Sequence, residues 1–193
     1  MQYCTGFSIF ILQSCSLSLF FDRIQQASHP LTQAVIQLYT EAFPANERRN
    51  ENQLLSMLPL EEMELYAITV DNQFIGLLIV WNFGTFAFPE HFAINPQLRG
   101  KQYGSMALEW VRKQYPRLLF EVEKEHDGPS QRRIAFYERN HFHRLNMEYA
   151  QPPYRKGEKA IPMYLFSDNQ SWEISEIAQA AATIEKEVYS RFR

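Results

Sequence analysis

Glycine is scarce in this sequence, with 7 in 193 residues, and cysteine is scarcer, with 2. Both cysteines, Cys4 and Cys15, lie within the first 16 residues. The rest of the chain therefore has no disulfide framework and no cysteine metal site, a usage that suits a reducing, cytoplasmic compartment. An excess of basic charge is also missing. The net charge is −3, whereas a general nucleic-acid binder wants a basic face. Long uninterrupted apolar runs are absent as well. The stretch "MQYCTGFSIFILQSCSLSLFF" is apolar but carries no Lys or Arg, which a secretory signal needs at its start. Gln13, Ser14, Ser16 and Ser18 break the run of about 20 apolar residues that a membrane span requires. Residues 1–16 read as an extension before the first strand, and neither a membrane nor a nucleic-acid partner is expected.

What is present describes one globular domain over residues 17–193. Hydrophobic residues make up 46% and charged residues 21% of the chain, ordinary proportions for a folded core. A chain of this length buries roughly 70% of its unfolded surface. "LSLFFDR" reads as a first strand. In "HPLTQAVIQLYTEAFP", Leu31, Val35, Leu38, Tyr39 and Ala42 recur at helical spacing, and Pro44 ends the run. "ERRNENQLLSMLP" predicts a second, shorter helix. "MELYAITV" and "FIGLLIVWNF" flank Asp71-Asn72, a hairpin signal, and "TFAFPEHFAI" follows as a third strand of the meander. A helix over 101–115, the strand "RLLFEVE" and the helix "PSQRRIAFYERN" come next. The strands "RLNMEYA" and "IPMYLFS" then bracket the turn-rich "QPPYRKGE". A last helix over 171–191 places Ile174, Ile177, Ala181, Ile184 and Val188 on one face, to be buried against the domain or a second subunit in a homodimer.

"INPQLRGKQYGSMALEWV" (94–111) concentrates two of the few glycines, Gly100 and Gly104, between a strand and a helix. The first amides of a helix lack intrahelical partners, and with the macrodipole they form an anion site that a glycine lets a phosphate approach. Arg99 and Lys101 add positive charge around the turn. A Walker loop does not fit, because position 95 is Asn and Gln102 follows Lys101. A dinucleotide fingerprint belongs to an early β-α-β unit, whereas this loop follows an antiparallel meander. A plain helix start with a tight turn and a pyrophosphate loop both remain open.

"AINPQLRGKQYGSMAL" resembles the coenzyme A signature of the GCN5-related N-acetyltransferases (GNAT), in which Gln or Arg, two residues, Gly, one residue and Gly or Ala cradle the pyrophosphate. Gln97 and Gly100 match, Gln102 stands where Gly or Ala is usual, and Gly104 and Ser105 match the common continuation. "RRIAFYERNHF" resembles the family's second landmark. There His141 replaces the usual Gly, and Ser130 replaces an Asn that often bonds the cofactor. The resemblance runs from residue 17 to about 167. It implies an α/β fold with a mixed, mostly antiparallel central sheet splayed around strands 4 and 5 and flanked by helices. The C-terminal helix is an addition to it.

The resemblance also implies a reaction: transfer of an acetyl group from acetyl-CoA, without a metal, to a primary amine of a small molecule or peptide, by direct attack in a ternary complex. It puts the pantetheine and thioester on the backbone of Phe92, Ala93 and Ile94. The pyrophosphate falls to Gln97, Arg99, Gly100, Lys101, Gln102, Gly104 and Ser105, with Ser130 nearby. Tyr137 takes the position of the family's general acid, and Glu90 that of the base, with His91 as its competitor. Strand alternation sends residues 90 and 91 to opposite faces, so only one of them is expected to reach the site. Each residue also has a structural reading: Tyr137 as a core aromatic, Glu90 as a strand-edge charge. Glu121 and Glu123 share one strand face, either as a proton path or as a solvated surface. Arg48, Arg49 and Arg155 lie in the two loops that border the family's acceptor pocket. They either grip an acceptor carboxylate or phosphate or are surface charges. Tyr154 would pack on the acceptor or on a partner subunit. A non-catalytic acyl-CoA-binding module is the alternative, favoured by Gln102, Ser130 and His141.

Overall fold

The computed structural model describes residues 18–169 and 171–192; the expected extension over 1–16 lies outside them. A first antiparallel sheet is built from β1 (Phe20–Arg23), β2 (Met63–Val70), β3 (Gln73–Asn82) and β4 (Ala87–Ile94), in that spatial order. Asp71 and Asn72 both adopt positive φ, 47° and 63°, and make the tight β2–β3 hairpin. Between β1 and β2 run α1 (Thr32–Ala42) and α2 (Glu51–Ser56). The latter is shorter than its sequence suggests and starts in a capping box of Asn50 and Gln53.

The second half contributes α3 (Tyr103–Gln114), β5 (Leu119–Glu123), α4 (Gly128–Arg139), β6 (His143–Arg144), β7 (Tyr149–Gln151) and β8 (Ile161–Ser167). β5 and β6 pair antiparallel with β8, as does β7, forming the second sheet. The single strand expected over 144–150 is in fact two short ones, β6 and β7, separated by a break. The sheets join at one parallel bridge between Ala87 and Leu118, where the Ala87 amide donates to Arg117 O at 2.8 Å. Beyond that point β4 and β5 diverge, and the splayed mixed α/β sheet expected from sequence is what the fold contains.

Alternation of side chains on the strands divides the core in two. Leu65, Leu77, Ile79, Trp81 and Leu119 pack with α1, α2 and the C-terminal segment. Ile68, Leu78, Val80 and Phe120 pack on the other face with Tyr103, Ala107, Leu108 and Val111 of α3. The C-terminal segment is α5 (Ile174–Ile184), a π turn (Glu185–Tyr189) and a 3₁₀ turn (Ser190–Phe192). Its Ile177, Ile184 and Val188 are buried in the chain's own core, and Ala180 takes a place expected for Ala181. Ile174 departs from the stripe: it is 75% exposed, because it opens the helix beside the Glu173–Glu176 capping box, before the face meets the sheet. Arg117 clamps this end, with a bidentate bond to Glu176 at 3.0 and 3.2 Å and its guanidinium 3.7 Å from the Trp172 ring. No helix among the described residues is long and apolar enough to cross a membrane.

Candidate active site

Because β4 and β5 part after the Ala87–Leu118 bridge, a cleft of about 850 Å³ opens between the sheets. Among the described residues, no strand pairs with the β5-facing edge of β4 past that bridge, so backbone of Phe92, Ala93 and Ile94 borders the cleft.

One end of the cleft is the loop before α3, where Leu98, Arg99, Gly100, Gln102, Tyr103, Gly104 and Ser105 line the wall. Gly100 has φ +81°, and a Cβ placed there would meet nothing within 4 Å, so the backbone faces open space. Gly104 serves differently: a Cβ there would come 3.1 Å from Phe136 Cζ, so its absence lets α4 approach α3. Gln102, standing where the signature has Gly, keeps a left-handed backbone at φ 63°, as does His141 at φ 62°. Both departures thus preserve the conformation that glycine would have given, at a cost of about 1–2 kcal/mol each. No side chain caps the start of α3, whose first amides remain open to an anion. At α4, by contrast, Asp127 and Ser130 close a capping box. The Ser130 hydroxyl accepts from the amides of His126 and Asp127 and donates to Asp127 O. It does not line the cleft, and neither do the exposed Gln97 and Lys101. Glycine in place of Gln102 is therefore not needed for the geometry of this loop, and Ser130 stands at the start of α4, outside the cleft lining.

At the other end, a β-bulge decides what faces inward. Val80 pairs with Pro89 and Ile79 with His91, which leaves Glu90 as the extra residue. The alternation expected of residues 90 and 91 fails there, and both side chains are buried, at 1% and 3% exposure. Glu90 receives bonds from Arg49, from Tyr154 Oη at 2.8 Å and from Trp81 Nε1 at 2.7 Å. Burial alone would raise its carboxyl; the charge of Arg49 and the bonds from Trp81 and Arg49 outweigh it and hold the group below the usual range. Paired with Arg49 and held as an anion, it has little affinity for a proton, which fits a structural anion better than the base expected from sequence. Burial lowers His91, which stays neutral; its Nε2 lies 3.0 Å from Glu47 O, fixing the proton on that nitrogen.

The loop arginines are committed within the chain too. Arg49 also donates to Val188 O and stacks 4.8 Å from the Tyr154 ring. Arg48 donates to Phe43 O, and Arg155 to Ala45 O and Arg48 O. These bonds tie all three arginines to the chain's own backbone. Tyr154 itself is buried against Tyr189 rather than presented to a ligand.

On β5, Leu119 belongs to the first core cluster and Phe120 to the second, so Glu121 and Glu123 face the same side as Leu119. Glu121 lines the cleft with Glu47, His91, Gln151 and Met163. Tyr149 Oη donates to its Oε1 at 2.5 Å and Tyr189 Oη to its Oε2 at 2.6 Å. Burial raises its carboxyl to about 7, against the two hydroxyl bonds that lower it, and the Glu90 charge adds to the rise. It exchanges a proton near neutral pH. Burial also lifts Glu47, with the Glu123 charge second, while Glu123 pairs with Arg133 at 2.9 Å. Across the cleft Tyr137 lines the wall from α4, its ring set among Phe120, Phe136, Phe142 and Phe166. Burial raises its hydroxyl, opposed by Arg133, so it keeps its proton.

Of the residues singled out from sequence, Tyr137, Phe92, Ala93, Ile94 and most of the loop line the cleft, as does Glu121, which was weighed there without being chosen. Sequence reasoning missed Tyr149, Gln151 and Tyr189. The one available signal was a pair of acids alternating with Val122 in an otherwise apolar strand.

Among proteins of known structure, a putative GNAT-family acetyltransferase from Bacteroides thetaiotaomicron superposes with a TM-score of 0.83 at 29% identity, over 88% of this chain and 98% of that one. A GNAT-family acetyltransferase from Elizabethkingia anophelis with acetyl-CoA bound gives 0.50 at 15% identity, over 77% and 96%. The ribosomal-protein-S18-alanine N-acetyltransferase of Escherichia coli gives 0.55 at 16%, over 81% and 98%. No curated protein matches the sequence. The profile of the acetyltransferase (GNAT) family matches residues 32–142, from α1 through the turn that ends α4, and since that is more than half of the sequence the chain belongs to this family.

Proposed function

We propose that this chain is an N-acyltransferase that moves an acetyl group from acetyl-CoA to a primary amine by direct attack, with both substrates bound together. The observation that carries the reading is Glu121: a carboxyl raised to about 7 in a cleft that also holds a protonated tyrosine. A pair of groups with separated proton affinities is what acyl transfer to an ammonium requires. The relative with acetyl-CoA bound supports the choice of co-substrate, and so does the fit of this chain's own loop. The open amides at the start of α3, with Gly100 and Arg99, suit a pyrophosphate, and the free edge of β4 suits an extended amide-bearing arm.

Bound acetyl-CoA supplies the activated acyl carbon and a thiolate leaving group. Glu121 takes a proton from the acceptor ammonium, directly or through one water, and frees the lone pair that attacks. Tyr137 gives its proton to the departing sulfur; the nitrogen sheds its second proton as the amide forms, which restores Tyr137 through solvent, and Glu121 releases the first to solvent. The acceptor enters on the Glu121 side, where Glu47, Gln151 and the neutral His91 present hydrogen-bond acceptors. With Glu47 and Glu121 at this end and Arg133 paired with Glu123, the lining favours a cationic amine over an acceptor carrying a carboxylate. The test is calorimetric titration with acetyl-CoA, then a screen of pooled primary amines for release of CoA thiol. Glu121→Gln should keep acetyl-CoA affinity and lose about 10²- to 10⁴-fold in kcat. Binding without turnover of any pool, or an undiminished Glu121→Gln, would overturn the reading.

A further inference from the structure

Tyr189 lies in the π turn after α5, beyond the residues the family profile matches. A π turn carries an extra residue, and here Val188 and Tyr189 are both buried although they are consecutive. The turn is pinned from both sides. Arg49 donates to Val188 O, and the Tyr189 ring sits 5.0 Å from that of Tyr154. Gln151 Nε2 donates to Tyr189 Oη at 3.1 Å, and Tyr189 Oη lies 2.6 Å from Glu121 Oε2. A phenol has one proton. With the Gln151 amide filling the acceptor side of the oxygen, that proton points at the carboxylate.

From this geometry we propose that Tyr189 is a positioning residue for Glu121: the C-terminal segment completes the active site by holding the β5 carboxylate in place from behind. The proposal rests on the reading of Glu121 as the base. The groups that face Glu121 are Tyr149 from β7, Tyr189 from the C-terminal turn and Glu90 from β4 by its charge; Glu185 acts on Tyr149, and Gln151 and Tyr154 touch Tyr189. A hydrogen bond to the charged form of an acid favours that form. Losing the Tyr189 hydroxyl therefore moves Glu121 upward and starves the reaction of base at low pH.

Tyr189→Phe keeps the ring in its slot and removes only the donor. Two readouts on the full-length protein separate this inference from the one beneath it. The first is an NMR titration of carbon-13 labelled Glu side chains, with the Glu121 signal assigned from Glu121→Gln and no substrate present. Glu121 should ionise about one unit higher in Tyr189→Phe, and Tyr149→Phe should shift it the same way. The second is the pH profile of kcat/KM, which should fall about tenfold near pH 6 and return towards the parent at pH 9. An unshifted titration, with or without a drop in melting temperature, would overturn the positioning role. A shifted titration with an unmoved rate profile would keep that role and dismiss Glu121 as the base. If Tyr189→Phe folds poorly, Gln151→Leu tests the same relay: it unloads the Tyr189 oxygen, lets the proton turn away, and should move the titration upward by a smaller amount.

Discussion

Glu90 on β4 and Glu121 on β5 are enclosed carboxylates on opposite walls of one cleft, and their surroundings drive them apart. Glu90 meets a guanidinium, an indole N–H and a phenol, and is held below the usual range. Glu121 meets two phenols and no cation, and rises to about 7. Burial is common to both; the difference is one full positive charge. A buried carboxylate paired with arginine is fixed as an anion and serves as a strut, whereas one held only by neutral donors can exchange its proton. The Glu90 charge contributes to raising Glu121, so the strut also helps tune the exchanger.

The largest effect should come from removing the cation that separates the two. Arg49→Leu leaves Glu90 buried without its counter-charge and cuts the ties to Val188 O and the Tyr154 ring. Stability should fall by about 3–5 kcal/mol, read from chemical denaturation. The double variant Arg49→Leu with Glu90→Leu should recover part of that loss. Equal losses in the single and double variants would mean that the charge pairing is not what matters.

Next is Tyr137, which lines the wall across from Glu121 and is the proton donor of the proposed reaction. Tyr137→Phe keeps the aromatic cluster and should leave acetyl-CoA affinity nearly intact. It should lower kcat by about 10²- to 10⁴-fold, with KM little changed, because the proton moves only in the transition state. A parent-like rate would return Tyr137 to the purely structural role that its neighbours Phe120 and Phe142 play.

The smallest effect concerns how Glu121 links stability to pH. Its folded carboxyl lies near 7 against an ordinary value near 4.5. Between those values the native state binds more protons than the unfolded chain, so this group makes stability fall as pH rises through the window. The penalty reaches about 3 kcal/mol at most above pH 7. Glu121→Gln should flatten that slope and stabilise the protein on the alkaline side. An equal slope in parent and variant would show that Glu121 titrates normally, and the contrast with Glu90 would vanish.

How much of this was legible differs from residue to residue. The loop at 97–105 and the α4 run ending in Phe142 were readable because their spacing follows backbone geometry. A left-handed residue at 100 and a small one at 104 are requirements of local conformation and packing, whereas Tyr137 was read from the family resemblance. His141 and Gln102 looked like defects by residue type, yet both take up the positive φ that glycine would have supplied. The alternation expected of residues 90 and 91 failed because period 2 assumes an unbroken ladder, and the bulge in β4 is set by pairing with β3. Ile174 was misjudged because a helical stripe says which residues share a face, not where along the helix its partner surface begins.

By itself, the sequence determined the α/β element order, the glycine-bearing helix start and, through two motifs, the family resemblance that implied the splayed sheet. Each of these depends on short-range periodicity and on residues close together in the chain. Only the tertiary structure decided the roles of the acids. The partners of Glu90 come from positions 49, 81 and 154, and those of Glu121 from 149 and 189. A carboxyl's proton affinity is set by the charges and donors within a few ångströms and by its distance from water. Those neighbours are assembled by folding from segments as much as 68 residues apart, and no local pattern carries that information.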